Sequence, residues 1–575
     1  IVLVLLLHHR GHHADYYNSL SQELTQVAGL LFVDDTDLFA RGDTAGDAAR
    51  ALQAAVLTWQ GGLHASGGAL KPEKCSWCLL GFTHKSGKVQ LLTPRTSPAT
   101  ISLPGPANSQ IPIKRVPAST GITVVGVTQA LNGAMKPQVD ILTDKAKRWA
   151  TNINNGYMDR RTAWNALNTM IWPSLAYPLG VCSITKSQGD HIITPLYKAI
   201  LPELGLQKRF PRLWRYSPTY LQGLALPHPY IEQGIDQIKL IIHRGLSSEI
   251  NGGLQRASLA QAQLELGISV PLFQADYQRF GFLLTKNTWI GSAWQFASDN
   301  AISITGPHDD PSWNPPWTLG AQRENDLLLT EGFEHFINST FEPSQRIPNF
   351  QALNRCRLTA RVLFLSDIVD GHGETIRPVY LNYKQNTPRP IDSKYTWPHH
   401  VPARNDWDLW TQTIKFISQS STGSLPATHR LGAWIRPSHQ IHHWYHDPSS
   451  AKLYHFHPIF KVWHSYSRDG RATRAELFSR DEFYVVTEAA VPKTHQAIVQ
   501  PTANRYRKKM VGSAPISVPP PPPRDTLHDI VQSMGPEGWP LHNAKSRNLA
   551  DLIQGIRHGT AIGTSDGSYM PTQST

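Results

Sequence analysis

Cysteine is scarce in this chain. Cys75, Cys78, Cys182 and Cys356 are the only four in 575 residues, which excludes a disulfide framework and points to a reducing, intracellular home in cytoplasm or nucleus. No stretch reads as a membrane span: the apolar run at residues 1–7 is too short to cross a bilayer and has no basic flank of a secretory signal. A membrane is therefore not expected as a partner. The run opens on Ile1 rather than Met, and is expected to be the tail of a buried element that begins upstream. Acidic residues are in deficit, 43 against 55 Lys plus Arg for a net charge of +12, which favours a polyanionic partner such as nucleic acid. A fixed-period repeat is also missing. What is present suffices for packed domains: hydrophobic residues make up 40% and aromatics 9%, which excludes wholesale disorder. A prior of roughly 100–200 residues per domain predicts several units, and 43 prolines predict many loops.

The chain is organised around Gly29-Leu30-Leu31-Phe32-Val33-Asp34-Asp35-Thr36-Asp37-Leu38, an apolar run broken by adjacent carboxylates. It reads as strand, tight turn, strand, with both acids at the tip. Two such carboxylates repel unless a cation neutralises them, and a divalent metal with oxygen ligands does so; an exposed hairpin with two solvated acids fits as well. Downstream, Asp43 or Thr44 caps a helix with Leu52, Ala55, Val56 and Trp59 on one face, ended by Gly61-Gly62. Leu70-Lys71-Pro72-Glu73-Lys74 then turns into a strand.

Phe32-Val33-Asp34-Asp35, followed at that distance by Leu70-Lys71-Pro72-Glu73-Lys74, resembles the palm of reverse transcriptases. Gly121-Ile122-Thr123-Val124-Val125-Gly126-Val127 is similar to the family's primer-gripping hairpin. Two amphipathic helices follow. One has Val139, Leu142, Ala146, Trp149 and Ile153 inward with Lys145, Lys147 and Arg148 on the other face; the second runs from about Asp159 to Met170, closed by Trp172-Pro173. They resemble the thumb, whose basic faces meet duplex phosphates; a solvated face explains the same cations. Near the end, Thr564-Ser565-Asp566-Gly567-Ser568 resembles the first strand of ribonuclease H.

The resemblance implies template-directed addition of deoxynucleoside triphosphates to a primer on an RNA or DNA template. Mg2+ or Mn2+ would be held at Asp34 and Asp35, with Phe32 and Val33 beside the primer terminus and Lys74 protonating the leaving pyrophosphate. Asp566 would hold metal in the ribonuclease H reaction. The implied fold class is α+β: half a palm (residues 1–118), primer-grip hairpin and thumb (119–185), helical connection (186–349), a mixed region with a small antiparallel β meander (350–500), a Pro-rich linker (501–559) and a truncated ribonuclease H edge (560–575). The family's third palm carboxylate precedes the Asp-Asp hairpin. Here only 33 residues precede Asp34 and none is an Asp in an apolar strand, Asp15 lying beside the loop His8-His9-Arg10-Gly11-His12-His13. A retroelement fragment, inactive alone, is the expectation; a nucleic-acid-binding remnant without catalysis is the rival. An aspartic protease on Asp43-Thr44-Ala45-Gly46 lacks the apolar strand leading in.

Other residues carry weaker signals. The four imidazoles at residues 8–13 suit zinc or nickel but also a polar loop, and Cys75-x-x-Cys78 is a lone pair that reads as packed thiols. A Pro, Ser and Thr rich tract at residues 93–120 reads as a loop. Ile231, Ile235, Ile238 and Ile242 make one face of a helix, in a region expected to pack as a scaffold. Aromatics interleaved with His around Trp434 and residues 442–486 suit a half-buried sheet face, or an exposed one on which bases stack.

Overall fold

The computed structural model describes residues 2–513 apart from 33–34, 86–87, 106–108, 246, 285–287, 305–318, 371–372, 385–386, 388–391, 394, 433–434, 436–439, 442–443, 458–461, 469–476, 488–489, 492–494 and 503–504. Asp34, Val33, Trp434, the prolines at 519–523 and the expected ribonuclease H edge with Asp566 lie outside the described residues.

The class is mixed α+β. Helix α1 (Val2–His9) carries the N-terminal apolar run and lies on α2 (Ala45–Ala65), where a Cβ at Gly62 would overlap Leu3. Thr44 N-caps α2, accepting from the Asp47 amide at 3.1 Å while Asp47 accepts from the Thr44 amide at 3.2 Å. Thr44 is thus a helix cap, which removes the protease reading. The helix runs past Gly61-Gly62 to Ala65 because α1 packs on Gly62, and that contact offsets glycine's poor helix propensity.

Strands up to residue 129 pair two by two. Hairpin β1 (Ala14–Tyr17) and β2 (Leu24–Val27) leads to β3 (Gly29–Phe32) and β4 (Asp35–Leu38), the hairpin the sequence predicts, except that Asp35 opens β4 opposite Phe32 instead of lying at the tip. Beyond α2 come β5 (Ser76–Cys78), the hairpin β6 (Phe82–Lys85) and β7 (Lys88–Leu91), the pair β8 (Ser102–Pro104) and β9 (Gln110–Pro112), and β10 (Lys114–Val116), which returns parallel to β5. The tract at 93–120 is therefore no plain loop. Ile101, Leu103 and Ile113 are buried beside Val56 and Trp77, and Pro104 and Pro112 sit at strand ends where a missing N–H is tolerated. Cys75 and Cys78 are free thiols, Cys75 packed against that core, and burial pushes the pKa of both up.

A second hairpin, β11 (Ile122–Val124) and β12 (Val127–Gln129), precedes α3 (Lys136–Asn155), which buries Val139, Leu142, Ala146 and Ile153 as their spacing predicts. Then α4 (Arg160–Ala166), capped by Asp159, passes through a π-helical turn into α5 (Trp172–Ala176). Pro173 does not close this helix. It falls in the first turn of α5, where its absent N–H is harmless, and the Trp172 amide reaches back to Leu167 instead. Helix α6 (Lys186–Glu203) completes this core, and the short α7 (Arg212–Tyr216) stands on a lobe beyond it.

Helix α8 (Pro229–Gly245) forms where the isoleucine spacing predicts, with that isoleucine face toward solvent. Ile231, Ile235 and Ile242 are exposed, whereas Gln233 and Gln237 are fully buried. Gln233 accepts from the Ile184 amide at 2.8 Å and donates to the Ile184 carbonyl at 3.1 Å, and Gln237 donates to the Cys182 carbonyl at 2.7 Å. The extended segment at 182–184 offers backbone groups that only amides satisfy, and this outweighs burial of the isoleucines.

One large core holds α9 (Ile250–Leu266), the short α10 (Tyr277–Phe280), α11 (Trp289–Asp299), α12 (Leu329–Thr340), α13 (Pro343–Ala360), the short α14 (Pro378–Leu381) and α15 (Arg404–Ser418). The expected division at 349/350 falls inside α13, so this helical unit continues to Leu431. The β1–β2 hairpin docks on it: Arg256 pairs with Glu23 at 2.6 Å, and Leu20 packs with Ala260, Leu264 and Phe364.

The β6–β7 hairpin also meets this unit. His84 lies edge-on to His399 with ring centroids 4.9 Å apart. Burial pushes the neighbouring His400 down to about 4, helped by the charges of His84, Arg355, Arg357 and His399, while Asp406 is paired with Arg355 at 3.0 Å. Between about pH 6.5 and 4 the unfolded chain takes up a proton on His400 that the folded chain refuses, so acidification destabilises the fold there, by on the order of 2 kcal/mol. Urea midpoints at pH 7 and pH 4.5 check this: His400→Gln is expected to shrink the difference, and an unchanged difference refutes it.

After the pair β13 (Asp392–Ser393) and β14 (Gln440–Ile441), the expected meander is a closed barrel. Its strands are β15 (Trp444–Asp447), β16 (Lys452–His457), β17 (Val462–Arg468), β18 (Leu477–Val486), β19 (His495–Thr502) and β20 (Arg505–Ser513), in the order 15-16-17-18-20-19. Strand β20 lies within the stretch assigned to a Pro-rich linker. Closure removes the open edges of a meander. The aromatics are core rather than a stacking platform: Leu453, Tyr466, Phe478 and Ala497 form one buried cluster, and Tyr445, Tyr454 and Trp463 another.

Candidate active site

In the β3–β4 hairpin Phe32 pairs with Asp35, Leu31 with Thr36 and Leu30 with Asp37. Directly opposed residues share a face, so Asp35 and Asp37 stand on one side of the hairpin and Leu38 on the other. Asp35 is exposed; Asp37 is half-buried, and burial first and Asp35 second raise its carboxyl above the usual range. Asp37 lies outside the Asp34-Asp35 pattern, but strand alternation from Asp35 puts it on the same face. A divalent cation with oxygen ligands suits this pair of acids. Among the described residues no group of three or more His, Cys, Asp or Glu is arranged to hold a metal ion.

Leu38 turns inward with Leu70, and both flank the clusters built on α2 residues Ala55, Val56 and Trp59. One apolar wall therefore ties the Asp35 hairpin to the Leu70-Lys71-Pro72-Glu73-Lys74 turn. Pro72–Lys74 is a single 3-10 turn leading into β5, and Lys71 and Lys74 are exposed with no ion pair among the described residues. The upstream histidines serve local structure: His12 Nε2 lies 3.0 Å from Thr58 Oγ1, and His13 Nδ1 lies 2.8 Å from Asp15 Oδ1, which also accepts from Gln26 at 3.0 Å. Asp15 is thus engaged within its own hairpin.

The β11–β12 hairpin is fastened to the helical pair. Tyr177 Oη donates to the Val125 carbonyl at 2.9 Å, Gln138 Oε1 accepts from the Thr128 amide at 2.7 Å, and the Thr123 and Thr128 hydroxyls are 2.7 Å apart. Its two turn residues, Val125 and Gly126, have φ of 48° and 76°. Both positive values mark the primed hairpin turn that favours Asn-Gly, and a β-branched residue is strained there. Val125→Asn is expected to stabilise the hairpin by about 1 kcal/mol; slower hydrogen exchange at the Thr128 amide would show it, and faster exchange would refute it. The cations of α3 divide: Lys147 and Arg148 are exposed, but Lys145 Nζ donates to the Ser174 carbonyl at 2.9 Å and so joins the helix pair together rather than facing outward.

No protein-family model, curated protein or solved structure matches this chain.

Proposed function

We propose that the chain is part of an RNA-directed DNA polymerase of the retroelement kind, comprising palm and thumb, and that it works on a template-primer and deoxynucleoside triphosphates. The observation that carries this reading is the hairpin register that pairs Phe32 with Asp35 beside the motif, while Leu38 at the other end of the same hairpin shares an apolar wall with Leu70 of the Leu-Lys-Pro-x-Lys turn. Support comes from the second hairpin, bound through Tyr177 and Gln138 to a helix pair with exposed Lys147 and Arg148. Mg2+ or Mn2+ held by Asp34 and Asp35, with Asp37 adjacent, would lower the pKa of the primer hydroxyl and neutralise charge on the phosphates. Phe32 and Val33 flank the primer end. Lys74, exposed on its turn, offers a proton to the leaving pyrophosphate, and Lys147 and Arg148 meet the duplex backbone. A ribonuclease H domain opening near Asp566 belongs to the same proposal.

Anisotropy titration of a labelled RNA–DNA template-primer, with and without Mg2+ and nucleotide, tests it. Mg2+ is expected to tighten the ternary complex roughly tenfold, about 1.4 kcal/mol, and the double variant Asp34→Asn/Asp35→Asn to lose that response while still binding duplex. Binding indifferent to metal in the unaltered chain would leave a nucleic-acid-binding protein without this chemistry.

A further inference from the structure

The lobe between α6 and α8 has no part in the site described above, and its construction is unusual. Residues 207–222 carry four cations, Lys208, Arg209, Arg212 and Arg215, and no Asp or Glu. The root is anchored. The Arg215 guanidinium lies 5.5 Å from the Tyr197 ring centre and 5.8 Å from that of Tyr216, and donates to the Phe210 carbonyl at 2.8 Å. Phe210, Tyr216 and Leu224 pack on the α3–α6 core, and the chain folds back on itself through Leu224 N to Trp214 O and Leu226 N to Arg215 O, both 2.9 Å. Pro211 and Pro218 restrict the backbone further.

The tip is the reverse of the root. Tyr220 is 82% exposed, Leu213 74% and Trp214 45%, and Lys208 and Arg209 are exposed without an ion pair among the described residues; Arg212 pairs with Asp190. Large apolar side chains held out on a rigid support are the mark of a contact surface. Exposed aromatic rings and exposed, unpaired cations within one short lobe that holds no acid match a partner that has flat π faces and a phosphate backbone. A duplex hides its base faces; a single strand presents them.

We propose that this lobe is a binding platform for single-stranded nucleic acid, with bases stacked on Trp214 and Tyr220 and phosphates on Lys208 and Arg209. Because the support is fixed before binding, little ordering entropy is lost. Such a platform works whether or not the Asp34-Asp35 hairpin turns over nucleotides.

The test uses the full chain with fluorescein-labelled oligo(dT) and oligo(rU), read by anisotropy over a range of salt. Trp214→Ala/Tyr220→Ala is expected to weaken binding about tenfold or more with the salt dependence unchanged. Lys208→Ala/Arg209→Ala is expected to weaken it and to reduce the slope of log K against log salt by about 1.4, that is about 0.7 for each lost phosphate contact. Preference for one oligomer over the other distinguishes DNA from RNA strands without altering the site. Both variants change only exposed side chains, and an unchanged thermal transition by circular dichroism verifies that they fold. Affinity within twofold of the original in both variants overturns the proposal. Unchanged affinity together with a shift from oligomer to monomer in sedimentation also overturns it, and marks the lobe as a protein contact. The Mg2+ response at Asp34 and Asp35 is read separately, so the two proposals fail independently.

Discussion

Arg357→Met is expected to destabilise the helical unit by about 3–5 kcal/mol, making it the most damaging single change outside the apolar core. Arg357 has no solvent exposure. Its guanidinium donates to the carbonyls of Leu264 at 2.9 Å and Glu265 at 2.8 Å, and to Asn354 Oδ1 at 2.8 Å. Leu264 and Glu265 lie in the last turn of α9, whose terminal carbonyls have no intrahelical donors. Gly267 follows with φ of 67°, and a Cβ there would come within 2.7 Å of the guanidinium carbon. Burial pulls Arg357 down to about 9, with Glu265 and Asp367 opposing, so it stays charged at neutral pH. Methionine keeps much of the volume but leaves the buried carbonyls unpaired, each at about 1–3 kcal/mol. Chemical denaturation followed by the fluorescence of Trp294 and Trp410, both buried in this core, reads the effect. A loss under 1 kcal/mol would mean that water or a neighbour replaces the guanidinium.

Gln233→Leu is expected to destabilise by about 2–4 kcal/mol, while Ile235→Gln changes stability by less than about 1 kcal/mol. Hydropathy alone predicts the opposite order. Leucine at position 233 forfeits both bonds to Ile184 and the 3.3 Å contact with Ser292 on α11, leaving a buried N–H and carbonyl unsatisfied. Ile235 is exposed and glutamine is a good helix former there. The pair of variants measures how far α8 joins the α3–α6 core to the helical unit. Gly234 strengthens that junction, since a Cβ there would run into the Phe296 ring of α11. Equal losses from the two substitutions would contradict the orientation of α8.

The hairpins were the most legible elements. The apolar run broken at Asp34-Asp35 marks β3–β4, with Asp35 one residue into the strand instead of in the turn, and the segment Gly121–Val127, read as a hairpin from its resemblance, holds β11 and the start of β12; in both a two-residue connection fixes register locally. The cap at Thr44 and the apolar face of α3 were legible for the same reason. Asp37 was missed although its position follows from alternation, and Lys145 was assigned outward because helical spacing cannot register a carbonyl at Ser174, 29 residues away.

What the sequence determined by itself is local, namely hairpin positions, helix starts and the helical character of residues 229–245, together with a net positive charge and few thiols. Which partner each element meets belonged to the tertiary structure. Local hydrophobicity has no information about the free N–H and carbonyl at Ile184 that draw Gln233 inward, about the Leu3 side chain that lets α2 continue through Gly62, or about β20 closing a barrel after residue 501. In each case a backbone group or a packed side chain far along the chain outweighs the local preference, because burying an unpaired polar group or leaving a void is worth more free energy than the propensity of one residue.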